Sequence, residues 1–439
     1  MEPLAAWIPP SAEKARPSIL FIAVEALRSD VVGLKHQGRE VTPNLNRLAA
    51  AGVNWTRSYS QSTHSDYADV CIVSSLYPLR TREHHYYRRR DPWPKTLAFD
   101  VFKQAGYRTA IISSQNEAWG CMDQFLETPN LDLFYDAQRS GAETYISSKD
   151  RQFQYENEVG TFSAGCLYDP HTMDTAISWM DERFEANEPF FVSMNFQASH
   201  FPYELPEGAG QPFQPCELTS DISFLSYPKS KTHIVRNAYY NGLAHCDEQL
   251  GRLIESLEAS GHLDDTILVV MGENGEAFHE SGQVGHAREP VEPAIHVATV
   301  MHAPKYFDHK TVDYPIELVD LLPTVLGRLD WGAHPNFQGV DALSQSRPKL
   351  DERLLFFHAN SPAAHSDAVQ WAGRWKYMID HRTKRGFLRD LETDPGETRD
   401  FQKDHPEIAA QLGRVLTEWR SRQLAYYHCL LYTSPSPRD

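Results

Sequence analysis

The chain has 439 residues, 41% of them hydrophobic and 23% charged, with a formal net charge of -17. So acidic a balance argues against a nucleic-acid backbone as the main partner, because binding one requires a basic face that releases counterions. No apolar run reaches the roughly 18 residues that span a bilayer, so the chain reads as an ordinary soluble globular protein with one main core and an appendage.

Cys71, Cys121, Cys166, Cys216, Cys246 and Cys429 are scattered and include no C-x-x-C pair, which indicates neither a zinc module nor a dense disulfide framework. The N-terminus has no basic stretch followed by an apolar one and is no secretion signal as written. The tail 429–439 reads as the translation of a transposase-type sequencing adapter and is excluded from the fold reading. A membrane anchor or signal outside this chain therefore stays open, as do localisation and oligomeric state.

Ser18 to Glu25 is a continuous apolar run ending in an acid, the pattern of a central parallel strand with Glu25 at its carboxyl end. An acid there serves either a site or a structural ion pair. Thr42-Pro43 opens a predicted helix that runs to Ala51 and is closed by Gly52. Gln61 to Pro78 places Thr63 and Ser65 just before another predicted helix, whose N-terminus would favour an attacking alkoxide and an anionic ester. Taken alone, such Ser/Thr clusters are more often caps. The basic run Arg82 to Arg90 reads as a charged surface loop, or as a docking point for an anionic substrate. A helix is predicted from Thr96 to Ala105, stopped at Gly106, and then a strand from Arg108 to Ser113.

Pro189 to Gln197 is strand-like and places His200 just past its end. From Asn237 to Ser260 the residues Leu243, Leu250, Ile254 and Leu257 fall at helical spacing, with Asp247 on their face as a satisfied buried acid. Thr266 to Met271 predicts a further buried strand. It leads into G-E-N-G-E-A-F-H-E-S-G-Q-V-G-H, Gly272 to His286. There Glu273 and Asn274 emerge at a strand end, Gly275 lets the backbone turn sharply, and His286 follows twelve residues after Asn274. His296 to Ala303 and Leu354 to His358 are two more apolar runs, with a helix expected from Glu317 to Leu329. Past about residue 360 the texture shifts to alternating aromatic and basic residues, a turn at Asp394-Pro395-Gly396, and a helix near Pro406 to Arg422.

Alternation of strand and helix predicts an α/β fold: a mostly parallel central sheet covered by helices on both faces, with a small C-terminal antiparallel sheet plus helix. The expected boundaries are 17–350 for the main domain and 351–428 for the appendage. Glu25, Glu273, Asn274, His200 and His286 all lie at predicted carboxyl ends of strands, so one sheet edge can gather them.

Several motifs, in order, resemble the sulfatase group of the alkaline phosphatase superfamily over Pro17 to Arg422. They are I-L-F-I-A-V-E-A-L-R-S-D, T-P-N-L-N-R-L-A-A-A-G-V, S-L-Y-P with T-L-A-F-D-V-F-K-Q-A-G-Y-R-T-A, S-H-F-P-Y, M-G-E-N-G-E to G-H, and G-R-W-K-Y with D-L-E-T-D-P-G-E-T-R-D. The resemblance implies a metal-dependent hydrolase of sulfuric or phosphoric esters, taking an anionic ester substrate. It implies one divalent cation on Glu25, Glu273 and Asn274, touched also by the nucleophile. Counting back from S-L-Y-P puts that nucleophile at Ser65, with Thr63 as the fallback. His200 and His286 fall at the substrate-binding histidines. Ligands that are mainly oxygen favour Mg, Ca or Mn over Zn.

Two departures qualify the resemblance. Where sulfatases carry C-x-P-x-R or S-x-P-x-R, the signal for conversion to formylglycine, this chain reads Ser65-Asp66-Tyr67-Ala68-Asp69. Ala26 follows Glu25 where sulfatases commonly have a second acid, which is closer to the lipoteichoic acid synthase and phosphoethanolamine transferase branch. That branch uses an unmodified Thr or Ser, but it keeps Asp-His where this chain has Glu273-Asn274. A transferase and a catalytically inactive binding or regulatory domain are therefore the alternatives.

Overall fold

Along Ile19–Val24 every side chain is apolar and no more than 5% exposed, so this segment can lie only where both of its faces are covered. The computed structural model, which describes residues 16–79, 95–145, 155–157, 160–162, 165–332, 334–361 and 363–433, places it inside a nine-stranded sheet. In chain order the strands are β1 (Ile19–Val24), β2 (Val53–Tyr59), β3 (Arg108–Ser113), β4 (Leu133–Tyr135), β5 (Phe190–Phe196), β6 (Ile267–Gly272), β7 (His296–His302), β8 (Lys310–Val312) and β9 (Ile316–Glu317). Their spatial order is β8-β2-β7-β6-β1-β5-β3-β4, with β9 also beside β2. All pairings are parallel except those of β7, which runs antiparallel to both β6 and β2.

The pleat divides the core in two. Ile19, Phe21 and Ala23 face one apolar layer with α2 (Ser65–Ser74), α3 (Ala98–Gln104) and α6 (Leu321–Arg328). Leu20, Ile22 and Val24 face the other, with α1 (Pro43–Ala51), α4 (Asp169–Glu185) and α5 (Thr232–Ala259). Each fully buried Phe or Leu contributes roughly 1.5–3 kcal/mol relative to exposure. The α/β class and the helix-covered, mostly parallel sheet are as the sequence predicts.

The C-terminal segment forms a separate four-stranded antiparallel sheet, β10 (Leu354–Asn360), β11 (His365–Trp371), β12 (Trp375–Asp380) and β13 (Arg385–Asp390), followed by α7 (Pro406–Thr433). Its apolar face does not close on itself. Val369, Trp375, Leu388, Leu412 and Trp419 join the same core layer as α2 and α6, and Trp419 stacks on Phe356 at 4.9 Å.

Several expectations are corrected. The helix expected from Glu317 to Leu329 starts later: Glu317 belongs to β9, a short 3-10 turn covers Leu318–Asp320, and only then does α6 begin. The last helix continues past Arg422 to Thr433, into the stretch set aside as adapter-derived, while 434–439 lie outside the described residues. Gly52 ends α1 with an extended backbone, and glycine is required because a Cβ there would lie 2.2 Å from the Met301 carbonyl oxygen. Asp247 is the satisfied buried acid expected: its carboxylate accepts the Asn44 and Leu45 backbone N–H groups at 2.9 and 2.8 Å and so caps α1 from a different helix. The basic run Arg82 to Arg90 lies outside the described residues. Among the described residues no helix is long and apolar enough to cross a membrane.

Candidate active site

Strand register decides which side chains meet. Val24 is level with Gly272 on one side and Phe196 on the other, so Glu25, Glu273 and Gln197 leave three adjacent strands at the same height. The loop after β5 then brings His200 over this edge. Ligands gather at such carboxyl-end crevices of open α/β sheets.

Ser65 is the first residue of α2, and its hydroxyl donates to Glu25 Oε2 at 3.2 Å. Thr63 is turned away. Its hydroxyl donates to the Arg288 carbonyl at 2.8 Å, and its own carbonyl accepts Ala287 N–H at 2.6 Å. The loop before the helix is also held by the C-terminal sheet, through His358 N–H to the Gln61 carbonyl at 2.8 Å.

Asn274 presents its amide nitrogen to Glu25 Oε1 at 3.0 Å, while its Oδ1 has no hydrogen-bond partner. Gly275 does not adopt the left-handed backbone that a sharp turn would suggest. Glycine is needed there because a Cβ would lie 2.1 Å from the Pro293 carbonyl oxygen. His286 follows a two-residue ladder, Ala277–Phe278 with Val284–Gly285, rather than a strand of the main sheet. Its Nδ1 pairs with Glu276 Oε2 at 2.7 Å, leaving Nε2 3.7 Å from Glu25 Oε1. His200 is anchored likewise, Nδ1 against the Phe201 carbonyl at 2.5 Å. One ligand atom from each of Glu25, His200 and His286 lies within 4.8 Å of the others.

The charges of this cluster are unevenly held. Burial pushes the Glu25 carboxyl up, yet the hydrogen bond from Glu273 and the charges of His286 and His200 bring it down to about 2. Glu273 goes the other way, raised well above the usual carboxylate range by burial and by the charges of Asp69 and Glu25. Burial works against a charged His286, but Glu276 and Glu25 overcome it and raise its pKa. His64 is lowered to about 3, chiefly by burial and by the charge of His286, and stays neutral.

The chemistry of these residues suits a divalent cation: the buried Glu25 carboxylate lies 3.2 Å from Ser65 Oγ, and Glu273 Oε1 and Asn274 Oδ1 are buried without partners. Both imidazoles engage Nδ1 and leave Nε2, the arrangement of oriented metal-binding or ester-binding histidines. The histidines border the oxygen donors, within 4.8 Å of a Glu25 oxygen.

Beside this cluster opens a cleft of about 830 Å³, solvent space included, walled by Trp119, Tyr145, Phe201 and Phe224, with Gln115 and Gln197 supplying amides. His64 stacks on Trp119 at 4.8 Å. Among the described residues no Lys or Arg lines it.

Asp69, Asn195, Glu276 and Trp119 were not singled out in the sequence. Asn195 had a signal, a polar amide inside an otherwise apolar strand. Glu276 had one in lying three residues past Glu273. Asp69 and Trp119 are recognised only through what folding places beside them.

Known proteins resemble this chain over most of its length. A sulfatase of Formosa agariphila is 24% identical over 393 residues, covering 78% of this chain and 73% of that protein. A lipoteichoic acid synthase-like protein of Bacillus subtilis is 22% identical, over 75% of this chain and 50% of that one. The crystal structure of a phosphonate monoester hydrolase of Agrobacterium radiobacter shares the fold, with a TM-score of 0.67 at 17% identity, covering 93% of this chain and 96% of the other. The sulfatase family model matches residues 17–331, the span holding all the clustered residues, and on that match the chain belongs to the sulfatase family.

Proposed function

We propose that this chain cleaves a sulfuric or phosphoric ester with Ser65 as an unmodified nucleophile. The observation that carries the reading is the Ser65 hydroxyl at the head of a buried helix, 3.2 Å from Glu25 and at a site bordered by His200 and His286. A divalent cation held by Glu25, Glu273 and Asn274, Mg, Ca or Mn in our reading, would lower the pKa of that hydroxyl and offset the charge of the ester. The helix N-terminus favours the anionic ester oxygens. Ser65 Oγ, its hydroxyl proton lost to solvent, forms a bond to sulfur or phosphorus as the bond to the leaving oxygen breaks. His286, held as imidazolium by Glu276, gives its Nε2 proton to that oxygen, and His200 donates to a retained ester oxygen. Water then releases the seryl ester. An acceptor hydroxyl in place of water would make the same site a transferase, a reading supported by the lipoteichoic acid synthase-like relative.

The test compares Ser65→Ala and Thr63→Ala on an aryl phosphate and an aryl sulfate, with intact-mass detection of the covalent adduct. Ser65→Ala is expected to lose both turnover and adduct, while Thr63→Ala keeps both. Full turnover by Ser65→Ala, with loss in Thr63→Ala, would overturn the assignment.

A further inference from the structure

His286 reaches the site on an excursion of chain that the main sheet does not fix. Its loop carries only the ladder Ala277–Phe278 with Val284–Gly285, so the strand register that sets Glu25 level with Glu273 does not set the height of His286. Glu276 does. Its carboxylate is buried and held at both oxygens: Oε2 accepts from His286 Nδ1 at 2.7 Å, and Oε1 accepts from the Tyr203 hydroxyl at 3.2 Å. Among the described residues no Lys or Arg forms an ion pair with that carboxylate.

Tyr203, on the loop after β5, stands where an aromatic residue is costly. Its φ is +63°, in the left-handed region that a bulky side chain rarely enters and that glycine enters freely. Such a backbone persists where the surrounding contacts over-determine it, and it clusters at ligand clamps and active sites. Here the Tyr203 N–H donates to the His200 carbonyl at 2.6 Å, and the ring runs inward against Phe201 at 5.6 Å and Tyr239 at 5.9 Å. Tyr239, on α5, donates its hydroxyl to the Ala26 carbonyl at 2.6 Å, next to Glu25. One packed pair of rings therefore ties together the His200 turn, the residue after Glu25, and the carboxylate behind His286. Burial and the charge of Glu276 raise the pKa of the Tyr203 hydroxyl well above its usual value, so it keeps its proton and donates.

We propose that Tyr203 is a positioning residue: by fixing Glu276 at its second oxygen, it aims His286 Nε2 at the leaving oxygen of the ester. A carboxylate held at one oxygen can swing about its own side-chain bonds, and the second hydrogen bond removes that freedom. The inference rests on the reading above of His286 as the acid that protonates the leaving oxygen. A weakly basic leaving group departs without a proton and a more basic one needs it, so a misaimed His286 slows the two unequally. A general loosening of the fold slows both alike.

The experiment measures kcat/KM of the full chain for nitrophenyl and unsubstituted phenyl esters, phosphate and sulfate, because this ratio reports the steps up to the first irreversible one. Tyr203→Phe keeps the ring and removes only the hydroxyl, and thermal melting checks that it folds. Its kcat/KM for the phenyl ester is expected to fall about 10-fold more than for the nitrophenyl ester. Glu276→Gln is expected to show the same unequal loss, and the double variant to match Glu276→Gln alone, because Tyr203 acts through Glu276. Equal loss on both esters, or no loss, in Tyr203→Phe would overturn the inference while leaving the proposed function standing. Losses that multiply in the double variant would overturn the route through Glu276. A wild type that cleaves none of the esters would overturn the proposed function, and this inference with it.

Discussion

Lys376 on β12 is 1% exposed, and its ammonium contacts Glu292 at 3.0 Å, Glu397 at 2.6 Å and the Pro290 carbonyl at 3.0 Å. Pro290 and Glu292 follow His286 by a few residues, so this buried triad fastens the C-terminal sheet to the loop that carries a site histidine. Burial acts to raise the Glu292 carboxyl, and the Lys376 charge overcomes it and lowers it; for Glu397 burial prevails over Lys376. Lys376→Met keeps most of the stem volume and leaves two buried carboxylates without their cation. One of them is then expected to take up a proton. From an ordinary value of 4.5 this costs about 3.4 kcal/mol at pH 7 and about 0.7 kcal/mol at pH 5, at 1.36 kcal/mol per pH unit. The first figure falls within the roughly 3–5 kcal/mol lost when one partner of a buried pair is removed. The sign follows from the direction of the shift. An acid whose folded pKa is raised contributes fully below its unfolded value and loses that contribution as pH rises, so the deficit of the variant grows from pH 5 to pH 7. Urea unfolding followed by tryptophan fluorescence at both pH values measures it. A deficit below about 1 kcal/mol at pH 7, or the same deficit at both pH values, would refute the reasoning. The triple variant Glu292→Gln, Lys376→Met, Glu397→Gln should recover most of the loss.

Gly275→Ala would place a Cβ 2.1 Å from the Pro293 carbonyl oxygen, and a loss of about 1–3 kcal/mol is expected by thermal melting; an unchanged Tm would show that the backbone yields there. Asp247→Ala removes the acceptor of two N–H groups at the head of α1, and chemical denaturation should register a loss of about 1–2 kcal/mol, with no measurable change counting against the capping role. Because the formylglycine signal is absent, phosphate esters should be turned over faster than sulfate esters with the same leaving group. Faster sulfate cleavage by the purified, unmodified protein would reverse that order.

The strands carrying the site were legible because a strand buried on both faces must be apolar throughout, so the acid that ends such a run marks its carboxyl end. Ile19–Val24 with Glu25, and Ile267–Gly272 with Glu273, stand out in the sequence for that reason. Strand direction was not legible, since period-two alternation is the same whichever way a strand runs, and His296–His302 proved antiparallel to both neighbours. Glu317 reads as helical because a short apolar run does not say whether it begins in a strand. The pairing of Asp247 with α1 crosses 203 residues, and that of Lys376 with Glu292 crosses 84. Partners so far apart carry no local signal. The same holds for Asp69 on α2 and Asn195 on β5, which meet only because that helix packs on the sheet. Local sequence determines which residues leave a strand end. Strand order and register, set by the packing of the whole core, determine which of them share a charge.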